Sequence, residues 1–197
     1  MTNTARVTEP NAPVDARPVV RRVGLMGGSF DPVHVAHVAL AETALAHLQL
    51  DEVRWIPVGQ AWQKQRTLVA GEHRIAMVQA ATAHEPRFVV DPIEVQRAGP
   101  SYTLDTVRAL QQTAEADAEW FLILGQDQYA NLTTWRDWPE LLARVTVAVA
   151  CRGDEPPRPS AELAAHPHRV VTLPLSPQHV SSTEIRARLG RGDDPFS

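Results

Sequence analysis

The chain has 197 residues, a formal net charge of −4 and 44% apolar residues. This length suits one domain with a substantial core, and the acidic balance excludes a general basic surface for nucleic acid. The only cysteine, Cys151, excludes an internal disulfide and a multi-cysteine zinc site and fits a reducing compartment. Because it follows an apolar run, we expect Cys151 to be a small core residue.

Residues 1–18, MTNTARVTEPNAPVDARP, are rich in proline, alanine and polar side chains. They lack the central apolar run of a signal peptide, so we predict a flexible tail followed by a single domain over residues 19–197. No later segment approaches the roughly 20 apolar residues that a membrane-spanning helix needs. We therefore expect a cytoplasmic protein with neither a membrane nor a nucleic acid as partner.

Apolar runs rich in β-branched residues alternate with segments of helical period along the chain. This alternation predicts an α/β fold with a doubly wound parallel sheet that is covered by helices on both faces. The apolar run WFLIL is continuous, as is typical of a strand buried on both faces, whereas the proline-rich segment 152–168 predicts a surface excursion. The predicted strands cover residues 19–26, 53–58, 87–90, 120–124, 145–150 and 170–173, and the predicted helices cover 35–48, 72–84, 103–116, 135–143 and 181–189.

Ligands of such sheets bind beyond the carboxyl ends of the strands, and the first predicted strand is followed by GGSFDPVHVAH. Gly27 and Gly28 allow the backbone to turn sharply and to approach a ligand closely, and Pro32 suits the first turn of a helix. His34 and His37 fall in that first turn, on the stripe that faces the sheet. Glycines, a positive helix end and two imidazoles together predict a polyphosphate site, although the stretch is neither a P-loop nor a GxGxxG motif.

Two other interpretations of this stretch stay open from the residues alone. Both histidines could be satisfied core residues under a loop. They could also bind a metal ion together with Asp31, as in some hydrolases. No second cluster with ligand spacing follows, however, and zinc needs at least three protein ligands.

A second motif, VSSTEIR, lies near the C-terminus. Ser181 and Glu184 are three residues apart and predict a capping box at the start of a helix. Ser182, Thr183 and Arg186 then crowd the positive end of that helix, where a guanidinium can hold phosphate oxygens in bidentate fashion. The motif alone is also compatible with an ordinary capped surface helix. If both motifs serve one ligand, their two helix ends must converge across one crevice.

The two motifs together resemble GGxFDPxHxGH and ISSTxIR of the nucleotidylyltransferase superfamily, which implies a Rossmann-like fold. One departure is Ala36, which stands where the family has the glycine of HxGH. Its methyl group stabilises the helix by up to about 1 kcal/mol and narrows the approach for a nucleotide. The stretches GPSYTLDT, LGQDQ and LTTWRDW resemble the bacterial nicotinate-mononucleotide adenylyltransferases, and this resemblance runs from residue 23 to residue 189.

The resemblance implies transfer of the adenylyl group of ATP to nicotinate mononucleotide, which yields nicotinate adenine dinucleotide and pyrophosphate in NAD biosynthesis. It further implies that His34, His37 and Arg186 are catalytic, because the imidazoles polarise the ATP phosphates and the SSTEIR helix end binds the β- and γ-phosphates. Mg²⁺ is expected to arrive with ATP. The residues expected to contact ATP are Gly27, Gly28, Ser29, Phe30, His34, His37, Ser181, Ser182, Thr183 and Arg186.

For nicotinate mononucleotide, the resemblance implies contacts from Lys64, Tyr102, Thr103, Asp127 and Trp135. The backbone at Tyr102 and Thr103 recognises the pyridine carboxylate, the indole of Trp135 stacks on the ring, and Asp127 accepts from a ribose hydroxyl. Lys64 follows the second strand, where the family has PPHK and this chain has AWQK, and is expected to contact a phosphate.

Three further expectations follow from the resemblance. Arg152 matches a family arginine near the nucleotide, although a surface role is equally open, and Trp138 is expected in core packing. Relatives usually continue further than Ser197, so we expect a final short element to be missing or replaced.

Several alternatives remain at this stage. The acceptor could instead be nicotinamide mononucleotide or phosphopantetheine. The chain could also be a non-catalytic adenine-nucleotide sensor, although a sensor has little need of both histidines, or a metal-dependent hydrolase. Assembly into a homo-oligomer stays open.

Overall fold

The structure, a computed structural model, describes residues 20–60, 67–112, 117–153, 155–175 and 181–191. The predicted tail over residues 1–18 and Lys64 lie outside the described residues. Within those ranges, one parallel sheet contains the strands β1 (Arg22–Gly28), β2 (Glu52–Pro57), β3 (Phe88–Val90), β4 (Glu119–Gly125), β5 (Thr146–Arg152) and β6 (Val170–Leu175).

The strand order β3-β2-β1-β4-β5-β6 confirms the predicted doubly wound α/β fold. The winding direction reverses between β1 and β4, which are neighbours in the sheet. A crevice therefore opens beyond the carboxyl ends of these two strands, where ligands bind in folds of this kind. The polar residues after β1 and after β4 face that crevice.

Eight α-helices connect and cover the described strands. They are α1 (Val35–His47), α2 (Gly71–Thr82), α3 (Ile93–Gln96), α4 (Thr103–Gln111), α5 (Gln126–Ala130), α6 (Trp138–Arg144), α7 (Ala161–Ala164) and α8 (Ser182–Arg191), and a short 3-10 helix (Leu132–Thr134) precedes α6. Five of them lie at the predicted places. The sequence did not predict α3, α5 and α7, because a helix of four or five residues is too short to display a hydrophobic period.

The surface excursion predicted for residues 152–168 is only partly correct, because it contains α7. Leu163 of this helix is fully buried in the core. The hydroxyl of Ser160 accepts a hydrogen bond from the Leu163 N–H at 3.3 Å and so caps the helix. The prediction therefore missed a one-turn helix that attaches this segment to the core through Leu163.

The sheet separates two apolar cores. The WFLIL run of β4 supplies Leu122 and Leu124 to the core beneath α4 and α6, and Phe121 and Ile123 to the core beneath α1. Alternation of side chains across a strand therefore explains why the run has no polar position. Cys151 is buried in the first core, as predicted. None of the helices in the described part of the chain has the length and apolar character to cross a bilayer.

Candidate active site

The turn between β1 and α1 takes its shape from Phe30. Gly27 and Gly28 are the last two residues of β1, so the expected glycine turn is wrong in detail. The residue with positive φ is Phe30, at 44°, and its ring is only 1% exposed because it packs against Trp55 and the edge of His37. An aromatic residue in this conformation is unusual, and such backbone strain concentrates at functional sites.

The two histidines lie side by side at the start of α1, with ring centroids 3.8 Å apart. His34 is the N-cap residue, with extended backbone, rather than a member of the first turn as predicted. Its backbone N–H donates to Nδ1 of His37 at 3.2 Å. A neutral His37 ring therefore carries its proton on Nε2, which makes that nitrogen a donor.

The ring of His34 is half-buried, and burial lowers its pKa from the ordinary value. Burial therefore favours the neutral form of the His34 ring. Its Nδ1 is buried without a hydrogen-bond partner among the described residues. A neutral imidazole carries one N–H and can still donate one hydrogen bond to a phosphate oxygen.

The second motif docks on this same turn. The hydroxyl of Ser182 donates to the Pro32 carbonyl at 2.9 Å, and the guanidinium of Arg186 donates to the Asp31 carbonyl and, at 3.1 Å, to Thr183 Oγ1. The predicted convergence of the two helix ends is therefore correct. The hydroxyl proton of Ser182 holds α8 against the turn, and contact of Ser182 with ATP stays a prediction.

The N-terminus of α8 confirms one half of the predicted capping box. Ser181 Oγ accepts from the Glu184 N–H at 3.2 Å. Ser181 and Thr183 are exposed, and Arg186 is half-buried. The helix end is thus accessible to a ligand while its body is fixed by contacts with the turn.

Two adjoining cavities open beyond the strands. The small cavity, of about 160 Å³, is lined by residues that include Gly27, Ser101, Tyr102, Thr103, Trp135 and Arg136. The large cavity, of about 770 Å³, is lined by residues that include His34, Ala36, Asp127, Cys151, Arg152 and Arg158. Gln128 lines both. The large cavity has the volume of a nucleotide-sized ligand site, and the small one suits a single ring system.

The structure places some of the predicted site residues in these cavities, whereas His37, Ser181, Ser182, Thr183 and Arg186 line neither of them. Tyr102, Thr103 and Trp135 lie together in the small cavity, and Gly27, Gly28 and Ser29 lie along its edge rather than in the large cavity. Asp127 lines the large cavity, as His34 does, and is thus apart from Tyr102, Thr103 and Trp135. The ring of Phe30 is buried beneath the turn, so only its backbone can contact a ligand.

The small cavity contains one end of α4. Tyr102 is its N-cap residue, and the Tyr102 side chain makes no capping hydrogen bond to the helix. The first N–H groups of a helix have no intrahelical acceptor and attract an anion. The guanidinium of Arg136 stacks over the Tyr102 ring at 4.7 Å and adds a positive charge at the same place.

A buried hydrogen-bond chain supports this end of α4. Arg97 Nη1 donates to Thr106 Oγ1 at 3.0 Å, and that hydroxyl donates to Glu94 Oε1 at 2.8 Å. Burial raises the pKa of Glu94 above its usual range. Ser101 Oγ accepts from the Gly59 N–H at 3.1 Å. This hydrogen bond joins the residue before Tyr102, the N-cap of α4, to the connection after β2.

Sequence reasoning missed Glu94, Arg136 and Arg74. Arg74 is the most deeply buried of the three, at 2% exposure. The sequence did contain a signal for it, because Arg74 shares a helical stripe with Val78 and Thr82, which are both buried. Trp138 packs against the core, as expected, with its ring 4.8 Å from that of His166.

The comparisons with known proteins agree with this geometry. Residues 25–188 match the family model described as cytidylyltransferase-like. A probable nicotinate-nucleotide adenylyltransferase of Methylibium petroleiphilum is 56% identical over 87% of this chain and 81% of its own length. One of Bordetella petrii is 47% identical over 88% of this chain and 89% of its own length.

The fold is shared with a solved structure of a distant protein. The nicotinic acid mononucleotide adenylyltransferase of Plasmodium falciparum, in complex with NaAD, superposes with a TM-score of 0.72 at 16% identity, over 88% of this chain and 86% of that one. At this identity the likeness concerns the fold alone. The two bacterial relatives, together with the family match, show that this chain belongs to the nicotinate-nucleotide adenylyltransferases, within the cytidylyltransferase-like family.

Proposed function

We propose that this chain transfers the adenylyl group of ATP to nicotinate mononucleotide. A phosphate oxygen of the mononucleotide attacks the α-phosphorus of ATP, the bond from that phosphorus to the bridging oxygen breaks, and pyrophosphate leaves with the bond electrons. The attacking phosphate is already ionised, so no side chain has to remove a proton from it. Catalysis then depends on alignment, which can contribute about 7–11 kcal/mol, and on stabilisation of the developing charge.

The observation that carries this proposal is the contact of Arg186 with the β1–α1 turn. It brings a guanidinium, the N-terminus of α1 and the imidazoles of His34 and His37 to one place. All of these are N–H donors, and none is a general base poised on a nucleophilic side chain. A triphosphate is the ligand that such a donor set suits, and the large cavity, which His34 and Ala36 line, is the space next to this set.

Magnesium enters this scheme as part of the substrate MgATP. Mg²⁺ prefers oxygen ligands and keeps several of its waters, whereas the imidazole and guanidinium groups expected to contact the phosphates are nitrogen donors. Asp127 and Glu155 are carboxylates that line the large cavity. The carboxylate of Asp31 is in the turn but is buried. We therefore expect phosphate oxygens and water to supply most of the ion's ligands.

Nicotinate mononucleotide is assigned to the small cavity. Its pyridine ring would stack on Trp135, and its carboxylate would accept from the N–H groups at the start of α4. Arg136 supplies a positive charge at the same end. This placement directs the ribose phosphate towards Gln128, where the two cavities adjoin. Lys64, which lies outside the described residues, would contact a phosphate.

The test is pyrophosphate release from the purified chain with MgATP and one acceptor at a time. We expect turnover with nicotinate mononucleotide to exceed turnover with nicotinamide mononucleotide or phosphopantetheine. Faster turnover with either of these would reassign the acceptor. Binding of ATP without turnover on any acceptor would identify a nucleotide sensor and overturn the proposal.

A further inference from the structure

Arg74, in the first turn of α2, contacts three separate segments of the chain. Its Nε donates to the Val69 carbonyl at 2.8 Å, Nη1 donates to the Ser29 carbonyl at 3.0 Å, and Nη2 donates to the Val58 carbonyl at 2.7 Å. All three acceptors are backbone oxygens outside regular helices and strands. Each edge of the guanidinium therefore fixes a different piece of backbone.

These three carbonyls lie at functionally distinct places. Ser29 precedes the strained Phe30 in the turn on which Arg186 docks. Val58 directly follows β2, and its own N–H donates to the Gly28 carbonyl at 2.9 Å. Val69 ends the connection from β2 to α2. Arg74 thus holds both ends of that connection and ties them to the β1–α1 turn.

An arginine side chain is better suited than a lysine side chain to bind three backbone carbonyls at once. A buried cation is unfavourable unless its donors are satisfied. The planar guanidinium presents donors in a rigid fork, so three carbonyls at fixed directions can be satisfied together. A lysine ammonium is a single point with no such fork and cannot reach all three oxygens from the same position.

We propose that Arg74 is a positioning residue that fixes the β1–α1 turn, which carries the ATP-phosphate donors, relative to the β2–α2 connection, which borders the small cavity at Val58. This inference rests on the proposed function, because the two cavities then hold two substrates that must be aligned. Loss of the fork loosens the turn relative to the connection, and the two then stay joined through the pairing of β1 with β2 and the hydrogen bond from the Val58 N–H to the Gly28 carbonyl. The reacting phosphate and the α-phosphorus then lose their alignment, although each substrate can still bind.

The test compares Arg74→Lys and Arg74→Ala with the unsubstituted chain. We expect kcat for pyrophosphate release to fall about 10- to 100-fold, the range that a misplacement of about 1 Å can cause. The Kd for ATP, measured by titration, should change less than threefold. Added guanidinium or methylguanidinium ion should restore part of the kcat of Arg74→Ala, whereas it should leave the unsubstituted chain unchanged.

Val78→Ala is the matched control. Val78 is fully buried on the same face of α2, so its truncation loosens the packing of the helix without removing a contact to either connection. We expect it to lower Tm while kcat of the folded protein stays within twofold. A similar loss of kcat in Val78→Ala and Arg74→Lys would show that helix packing, not the fork, sets the rate.

The outcomes separate this inference from the function on which it rests. If the unsubstituted chain turns over nicotinate mononucleotide and folded Arg74→Lys keeps kcat within twofold, only the positioning role is overturned. If the unsubstituted chain has no turnover with any acceptor, the proposed function fails, and the positioning role fails with it.

Discussion

The guanidinium of Arg186 donates a hydrogen bond to the backbone carbonyl of Asp31, 155 residues earlier in the chain. This bond and the one from Ser182 to Pro32 join the last described helix to the first turn of the fold. A guanidinium has five N–H groups, so docking on the turn leaves donors for a phosphate. We therefore expect this one side chain both to hold the site together and to supply a positive charge to the phosphates.

Replacement of Arg186 tests that dual role. We expect Arg186→Gln to lower kcat/KM for ATP at least 10-fold, because it removes a charged donor to the phosphates. Arg186→Lys should recover only part of the loss, since an ammonium cannot bridge carbonyl and phosphate as a fork does. Arg188→Gln, which removes an exposed i,i+4 ion pair with Glu184 on the same helix, should leave the kinetics within twofold.

His37 should act through Nε2, because its Nδ1 accepts from the His34 backbone N–H. His37→Ala should lose about 10²-fold or more in kcat, the effect of one donor to developing charge, while the fold survives. His37→Gln places an amide donor near Nε2 and should retain more activity than His37→Asn, which replaces Nδ1 only. Equal activity of the Gln and Asn variants would contradict the assignment. His47→Ala, at the far exposed end of α1, is the control.

Gly27 and Gly28 should respond differently to alanine. A Cβ at Gly28 would lie 2.9 Å from two ring carbons of Phe30, whereas a Cβ at Gly27 meets nothing within 4 Å. We expect Gly28→Ala to destabilise the fold by about 1–3 kcal/mol, because the buried ring must shift. Gly27→Ala should keep the free energy of unfolding within about 0.5 kcal/mol but raise the KM for the acceptor, since the methyl group enters the small cavity. Urea unfolding and steady-state kinetics separate the two.

Glu94→Gln should change how stability depends on pH. Burial raises the pKa of Glu94 in the folded state, so between the ordinary carboxyl pKa and this raised value the folded state holds more protons than the unfolded one. The stability of the unsubstituted chain therefore falls, relative to Glu94→Gln, as pH rises through that window, at up to about 1.4 kcal/mol per pH unit. Thr106 can still donate to the amide oxygen of Gln. Urea unfolding from pH 4 to pH 8 measures the difference in the free energy of unfolding between the two chains. A difference that does not change with pH would contradict the prediction.

Arg136 should contribute to discrimination between acid and amide. Its guanidinium lies over Tyr102 at the end of the small cavity assigned to the pyridine carboxylate. We expect Arg136→Gln to lower kcat/KM for nicotinate mononucleotide about 3- to 10-fold, the effect of one partly exposed charge, with little change for nicotinamide mononucleotide. Arg87→Gln makes the same change of net charge at an exposed site beside β3. It should leave the ratio of kcat/KM for nicotinate mononucleotide to kcat/KM for nicotinamide mononucleotide unchanged.

The sequence predicted the sheet, the five longer helices and the convergence of the two motifs. These features follow from local periodicity and from the topology of parallel sheets, which places strand ends and helix starts at one edge. The capping interaction of Ser181 with Glu184 was also predictable, because it needs only a spacing of three residues.

Other parts of the site depend on tertiary contacts that no local pattern contains. The positive φ of Phe30 arises because its ring is held between Trp55 and His37. Ser182 could not be recognised as a docking residue, since its partner carbonyl belongs to Pro32, 150 residues earlier. The sorting of Gly27 into one cavity and Asp127 into the other likewise depends on the three-dimensional path of the loops.

Gln128 borders both cavities, and this shared wall has a kinetic consequence. Either substrate can dissociate from its own cavity while the other stays bound. A dinucleotide made from both must occupy the two cavities at once and leave them together. Its dissociation therefore breaks two sets of contacts at once, and on the proposed assignment we expect product residence time, rather than bond formation, to limit the catalytic cycle.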